Sequence, residues 1–148
     1  MEKIIKVDRY YPDDEEIVDK VLLSDGTELW LRFWWIDEHY YVDLYRDKEL
    51  TNAVEQAHFH FIDEGYNDEN EGAKYFLYTM SSSDEFKCKG IGEYIVRFIK
   101  TGGDFDMPKA IIRAQDPNKP EERRGSMLLD DGYKFVLRMQ EKSLIEDW

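Results

Sequence analysis

The feature that most constrains this chain is a glycine-bearing loop, followed at once by an amphipathic helix, at residues 85–100. Apolar side chains recur there with the 3.6-residue period of a helix, at Ile91, Tyr94, Ile95, Phe98 and Ile99. Glycines stand at positions 90 and 92, where the helix is expected to begin. Glycine lets a ligand approach the backbone closely, and the first N–H groups of a helix carry the positive end of its dipole. The stretch therefore predicts an anion-binding site, best suited to a phosphate.

Two apolar segments flank this loop and helix. Residues 74–80 and residues 109–114 are each short, apolar and rich in residues that favour strands. Strand, loop, helix and strand form a βαβ unit, in which the loop follows the carboxyl end of the first strand. Because open α/β sheets bind ligands at that edge, the predicted phosphate site lies where such folds place their ligands.

The loop also resembles a known motif. Residues 86–92, Phe-Lys-Cys-Lys-Gly-Ile-Gly, are similar to the acyl-CoA pyrophosphate loop of the GNAT superfamily of N-acyltransferases, whose pattern is Arg/Gln-x-x-Gly-x-Gly/Ala. Lys87 stands at the Arg/Gln position. Residues 124–136 resemble the family's second signature, with Gly132 and Tyr133 at its Gly-Phe turn into a final strand. The resemblance covers about residues 74–139.

This resemblance implies a fold and an activity. The implied fold is one α+β or α/β domain over residues 1–148, with a mixed, mostly antiparallel central sheet and helices on both faces. The implied activity is transfer of an acyl group from acetyl-CoA, or another acyl-CoA, to an amine. The residues that the resemblance assigns to cofactor binding are Lys87, Cys88, Lys89, Gly90, Ile91 and Gly92. The family's thiolate-protonating tyrosine matches Leu128 here, so no catalytic residue is assigned.

Composition and charge narrow the choice of partners. The 148 residues carry a net charge of -13, which disfavours nucleic acid and anionic membranes and favours a cationic amine or a basic protein. A single cysteine excludes an intrachain disulfide. No apolar run reaches the roughly 20 residues of a membrane helix, and no signal peptide precedes the first strand, so a cytoplasmic protein is expected. The alternative function is a non-catalytic acidic interaction protein, such as a host-directed inhibitor or a nucleic-acid mimic.

The first half of the chain contains several strand signals. Residues 12–22 fit a helix, but they also fit a strand that ends at the hairpin signal Asp25-Gly26. Residues 27–35 and 40–45 are predicted strands, joined by a turn that contains His39. The aromatic residues of the first of these strands are assigned mainly to the core, although they could also line a ligand cleft.

Two further predictions concern elements with less clear periodicity. Residues 50–62 are predicted to form a helix that ends near Gly65, and residues 134–140 a last strand. On that helix His58 and His60 would point about 200° apart and could not chelate a metal, whereas on a strand their rings would share a face. No metal site is therefore expected, and His39 is expected to be solvated.

Overall fold

A computed structural model describes residues 3–67, 72–81, 90–101, 110–118 and 130–148. In chain order, its elements are β1 (Ile4–Asp13), β2 (Glu16–Leu23), β3 (Glu28–Ile36), β4 (His39–Tyr45), β5 (Ala53–Asn67), β6 (Gly72–Ser81), α1 (Ile91–Thr101), β7 (Ile111–Ala114) and α2 (Asp130–Glu141). The seven described strands form one sheet in the order of the chain. Only β6 and β7 pair in parallel; the other neighbours are antiparallel. The mixed α+β class with a mostly antiparallel sheet is confirmed.

The first six strands form an antiparallel meander. At the β2–β3 turn, Gly26 has a φ of 91°, a value that glycine adopts without strain. The Leu23 N–H donates to the Thr27 carbonyl at 2.8 Å and closes the turn. Residues 16–23 are therefore a strand, which decides between the two interpretations of this segment in favour of the hairpin.

Both described helices pack on the same face of the sheet. The Phe98 ring of α1 stacks on Phe33 of β3 with ring centroids 3.7 Å apart. Phe135 of α2 meets Phe59 of β5 edge-on at 6.1 Å. Phe33 and Phe59 share a face because both pair directly with Val42, Phe33 across the β3–β4 ladder and Phe59 across the β4–β5 ladder. Among the described residues, then, the expectation of helices on both faces was wrong.

The connection between β6 and β7 includes α1, and hydrogen bonds join the C-terminal end of α1 to the residue before β7. The Ala110 N–H donates to the Lys100 carbonyl at 2.6 Å, and the Lys100 ammonium donates to the Ala110 carbonyl at 2.8 Å. These two bonds join the last turn of α1 to the start of β7. The predicted strand–helix–strand unit is confirmed in its described residues, with α1 beginning after the carboxyl end of β6.

The prediction of a helix at residues 50–62 was wrong. Residues 53–62 of this segment belong to β5, in which Phe59 and Phe61 are buried while His58 is exposed and His60 half-buried. Burial on alternate residues is the pattern of a strand with one face on the core. Gly65, with a φ of 94°, lies within β5 near a register shift and does not end a helix.

The prediction of a last strand at residues 134–140 was also wrong. These residues lie in α2, where Phe135, Val136 and Met139 are buried and Leu137 is 48% exposed. That spacing follows the helical period, and a strand would have buried residue 137 with its neighbours two positions away. No helix among the described residues is long and apolar enough to span a membrane.

Candidate functional site

The start of α1 has the backbone geometry that the glycine pattern predicts. Gly90 is exposed and has a φ of 80°, which a residue with a side chain rarely adopts. Its carbonyl accepts the first helical hydrogen bond, from the Tyr94 N–H at 3.0 Å. An added Cβ would also meet the Lys3 Cβ at 3.2 Å. The chain therefore needs glycine at position 90 for conformation and for close packing against the first strand.

Gly92 is explained by packing between the two helices. A Cβ at this position would lie 2.7 Å from Cε1 of Phe135, closer than side-chain atoms approach one another. Gly92 thus lets α1 approach α2, and this contact accounts for the glycine without any ligand. Ile91, beside it, is 5% exposed and belongs to the core, so only its backbone is positioned to face a ligand.

The other three predicted cofactor-binding residues, Lys87, Cys88 and Lys89, lie outside the described residues. Of the six, the structure therefore describes Gly90, Ile91 and Gly92, which form the first turn of α1 and the residue before it. The described part of the second sequence signature, residues 130–136, does not have the structure that the resemblance implies. Gly132 and Tyr133 lie inside α2 and make no turn into a strand, because the helix continues through them to Glu141.

The described pairing of β6 with β7 stops before β6 ends. It joins residues 74–77 to residues 111–114, whereas β6 continues to Ser81. A register shift in the β5–β6 ladder leaves Tyr78 as an extra residue between Leu77 and Thr79. Such a bulge bends its strand and increases the local twist. Beyond the bulge, residues 79–81 pair with β5 and have no described partner in β7.

A buried ionic cluster fixes α1 on the sheet. Asp19 of β2 is fully buried and accepts two hydrogen bonds from the Arg9 guanidinium, at 2.7 and 2.8 Å. The Tyr94 hydroxyl of α1 donates to the same carboxylate. Burial and this hydrogen bond raise the pKa of Tyr94 well above its ordinary value, so its proton is retained. The cluster holds the first turns of α1 in place, and Tyr94 is not a source of protons.

The negative charge in the first turn of α1 is balanced by cations. The Glu93 carboxylate accepts hydrogen bonds from Lys142, which follows α2, and from Arg97 one turn later. These partners, Lys142 first, lower the pKa of Glu93 below its ordinary value. Because both neighbours are positive, Glu93 does not leave the start of the helix with a net negative charge.

The opposite face of the sheet carries a row of rings in contact, which was not predicted from the sequence. Trp34, Tyr41, His60 and Tyr78 come from four consecutive strands, β3 to β6, and their successive ring centroids lie 4.4, 4.4 and 5.2 Å apart. We call these four residues the aromatic row. The Trp34 indole N–H donates to Asp43 at 2.8 Å. The alternation of rings in residues 57–61 was the available signal, but the helix assigned there concealed it.

His39 was expected to be solvated, but its ring contacts a second histidine. Its Nδ1 lies 2.8 Å from Nε2 of His60, so one ring nitrogen donates to the other. Burial, and then the neighbouring His39 and His58, lower the pKa of His60 below its ordinary 6.5. Although β5 places His58 and His60 on one face, the described residues contain no cluster of three or more metal-binding side chains able to hold an ion.

Comparison of the whole chain with models of known protein families, with curated proteins and with solved structures finds no match.

Proposed function

We propose that the protein binds an acyl-CoA, acetyl-CoA in the first instance, at the start of α1 and transfers its acyl group to an amine. The observation that supports this most is the exposed, positive-φ Gly90 turn at the start of α1, in the chain segment that follows the carboxyl end of β6. The cofactor pyrophosphate would accept hydrogen bonds from the first N–H groups of α1. Lys87 and Lys89 would add positive charge near the pyrophosphate in this otherwise acidic chain.

The reaction requires little covalent participation from the protein. A neutral amine attacks the thioester carbonyl, the new N–C bond forms, the C–S bond breaks and CoA leaves as a thiolate. Backbone amides of the site would polarise the carbonyl oxygen, which is the contribution that preorganised donors make in acyl transfer. The proton lost by the amine passes to a base or through water to the departing sulfur. Tyr94 does not serve here because its hydroxyl is bound to buried Asp19.

The direct test is release of free thiol from acetyl-CoA in the presence of a panel of amines, including polyamines, lysine amides and aminoglycosides. Activity that requires both an amine and the wild-type Gly90 supports the proposal. Thiol release that is equal in wild type and Gly90→Asp, or that is absent for every amine despite saturating cofactor, contradicts it.

The second candidate function is that of a non-catalytic acidic interaction protein. The observation that favours it is the aromatic row, which lies on the sheet face that neither described helix covers. Half-buried rings of this kind are common where proteins dock. A partner recovered equally by wild type and Gly90→Asp, together with no acyl transfer to any amine, would favour this function over the first.

A further inference from the structure

A cavity of about 270 Å³ opens at the end of the sheet where β3 stops and β4 starts. Its inner wall includes the stacked rings of Phe33 and Phe98. Trp35, Tyr40 and Tyr75 also line it, and each of these three is only half-buried. The Tyr40 ring lies 6.1 Å from Trp35 and meets Tyr75 edge-on at 5.2 Å. The cavity is therefore an aromatic pocket whose outer rings reach solvent.

This aromatic pocket is separate from the proposed acyl-CoA site. It contacts α1 at Phe98 and Ile99, near the end of the helix, whereas the acyl-CoA site lies at its start. At 1.5 Å per residue, the distance along the helix from Ile91 to Ile99 is roughly 12 Å. The residues between them, Ile95 and Val96, are fully buried, so the core separates the two sites.

The turns around the pocket are strongly acidic. Asp14 and Glu15 connect β1 to β2, directly after Asp13, and Asp37 and Glu38 connect β3 to β4. Backbone hydrogen bonds place these turns at the pocket: the Trp35 N–H donates to the Glu15 carbonyl at 3.3 Å, and the Asp63 N–H to the Glu38 carbonyl at 2.8 Å. The carboxylates of the two turns create a negative potential at the opening.

We propose that this pocket binds an alkylammonium group. Rings attract cations through their faces, most strongly when the cation is partly removed from water. Two rings of the pocket lining already make this contact with cations of the chain, because Arg32 lies over Trp34 and Arg9 over Phe98, both at 4.9 Å. Among the described residues, no such cation lies over Trp35 or Tyr40. A volume just below that of ordinary ligand pockets fits one small amine or one lysine side chain.

The proposal does not depend on the acyl-CoA site. It places the binding of a cation, which the net charge of -13 favours, at the C-terminal end of α1. The same ammonium group occurs in free amines and in the lysines of a basic protein. The test therefore includes one probe of each source and a neutral probe of the same shape as the first.

The experiment is an NMR titration of the indole N–H signals with choline and with 3,3-dimethylbutan-1-ol, its uncharged isostere. We expect choline to shift the Trp35 signal saturably at millimolar concentration while Trp148, near β7, stays unchanged. The alcohol should bind about tenfold more weakly, because it lacks the attraction between a cation and the rings. Equal binding of the two probes, or no saturable shift with choline, overturns the proposal. Nα-acetyl-lysine methylamide keeps the side-chain ammonium and represents a lysine of a protein. If it binds more tightly than choline, the pocket is assigned to a lysine side chain; if choline binds more tightly, the pocket is assigned to a free amine.

Two pairs of variants locate the binding. Tyr40→Leu should abolish the choline shift, whereas Tyr45→Leu, the same change at the other end of β4, should preserve it. Asp37→Asn combined with Glu38→Gln should weaken choline about threefold at low salt and hardly at all in 0.3 M salt, where surface charges are screened. Glu146→Gln combined with Asp147→Asn, at the exposed C-terminus, removes the same charge and should have no effect. Thermal melts confirm folding, and choline binding retained by folded Tyr40→Leu overturns the assignment.

Discussion

At the residue scale, the most informative contacts are those that a single substitution removes. Phe98 is 4% exposed and lies between the Phe33 ring and the Arg9 guanidinium. Leu137, on the outer side of α2, is 48% exposed. The two positions therefore contrast a core residue with a surface residue, both on helices.

Phe98→Ala should lower the free energy of unfolding by about 3–5 kcal/mol, the usual range for a buried aromatic residue cut back to alanine. Leu137→Ala should change it by less than about 0.5 kcal/mol, as for other exposed positions. Urea denaturation followed by circular dichroism measures both values. A loss below about 1 kcal/mol for Phe98→Ala would mean that α1 does not pack on the sheet through this ring.

Gly92→Ala should have two opposing effects on the stability of the protein. Alanine is favoured over glycine in a helix by roughly 1 kcal/mol, but the new methyl group would meet the Phe135 ring at 2.7 Å. Because overpacking a tight contact typically costs about 1–3 kcal/mol, we expect a net loss of stability. Combination with Phe135→Leu should make the same alanine neutral or stabilising. Equal effects of Gly92→Ala in the two backgrounds would exclude the contact as the reason for this glycine.

At the scale of elements, the sequence predicted the central unit well and failed where two periods compete. The stripe from Ile91 to Ile99 and the strands on either side of it were unambiguous, and they are confirmed in the described residues. In residues 50–62 the length of the segment favoured a helix. The alternation of Phe59 and Phe61 with histidines, which is the signal of a strand, occupies only a few positions.

Tertiary contacts explain the other failures. In residues 134–140, aromatic and β-branched residues favour a strand, but packing of Phe135 and Val136 on the core selects the helix. The histidine contact and the buried Asp19 cluster join residues 21, 10 and 75 positions apart in sequence, so no local pattern reveals them. Of the candidate site, the Gly90 conformation was predictable, whereas the contact of Gly92 with Phe135 depended on how α2 packs.

His60, in the aromatic row, should make the stability of the protein depend on pH. The pKa of His60 in the folded protein lies below 6.5, so between that pKa and 6.5 the unfolded chain binds more protons. Stability should therefore fall as the pH decreases through 6.5, and rise with pH over the same window. Urea midpoints at pH 7.5 and 5.5 measure the change, and His60→Phe, which keeps a ring against Tyr41, should reduce it. The same pH dependence in wild type and variant would contradict the assignment.

At the scale of the whole molecule, the net charge of -13 is the dominant property. Repulsion among so many carboxylates opposes the compact state, and it is screened over about 10 Å at 0.1 M salt. The charge also determines which ligands approach: cations are attracted everywhere, and an anionic cofactor only where local donors overcome the field. The proposed acyl-CoA site and the aromatic pocket differ in this respect, since the first would bind an anion and the second a cation.

Sodium chloride should raise the urea midpoint between 10 and 300 mM at pH 7.5, because screening relieves the repulsion of the folded state more than that of the expanded chain. The same increase in salt near pH 4.6, the isoelectric point of the sequence, should have little effect. A midpoint that falls with salt at pH 7.5 would mean that attractive ion pairs, such as Arg32 with Glu16 and Arg113 with Glu64, outweigh the repulsion.

Calorimetric titration with acetyl-CoA tests the proposed cofactor site most directly. Wild type should bind, whereas Gly90→Asp should not, because the new carboxylate would face the pyrophosphate at the start of α1. Gly65→Asp is the control for the backbone strain, because its φ of 94° is close to the 80° of Gly90 while its surroundings are open. It lies in β5, toward the other end of the β5–β6 ladder. Both variants should retain cooperative melts. Loss of binding in folded Gly90→Asp alone is the predicted result; equal heats in all three proteins, or no binding by wild type at millimolar acetyl-CoA, would contradict it.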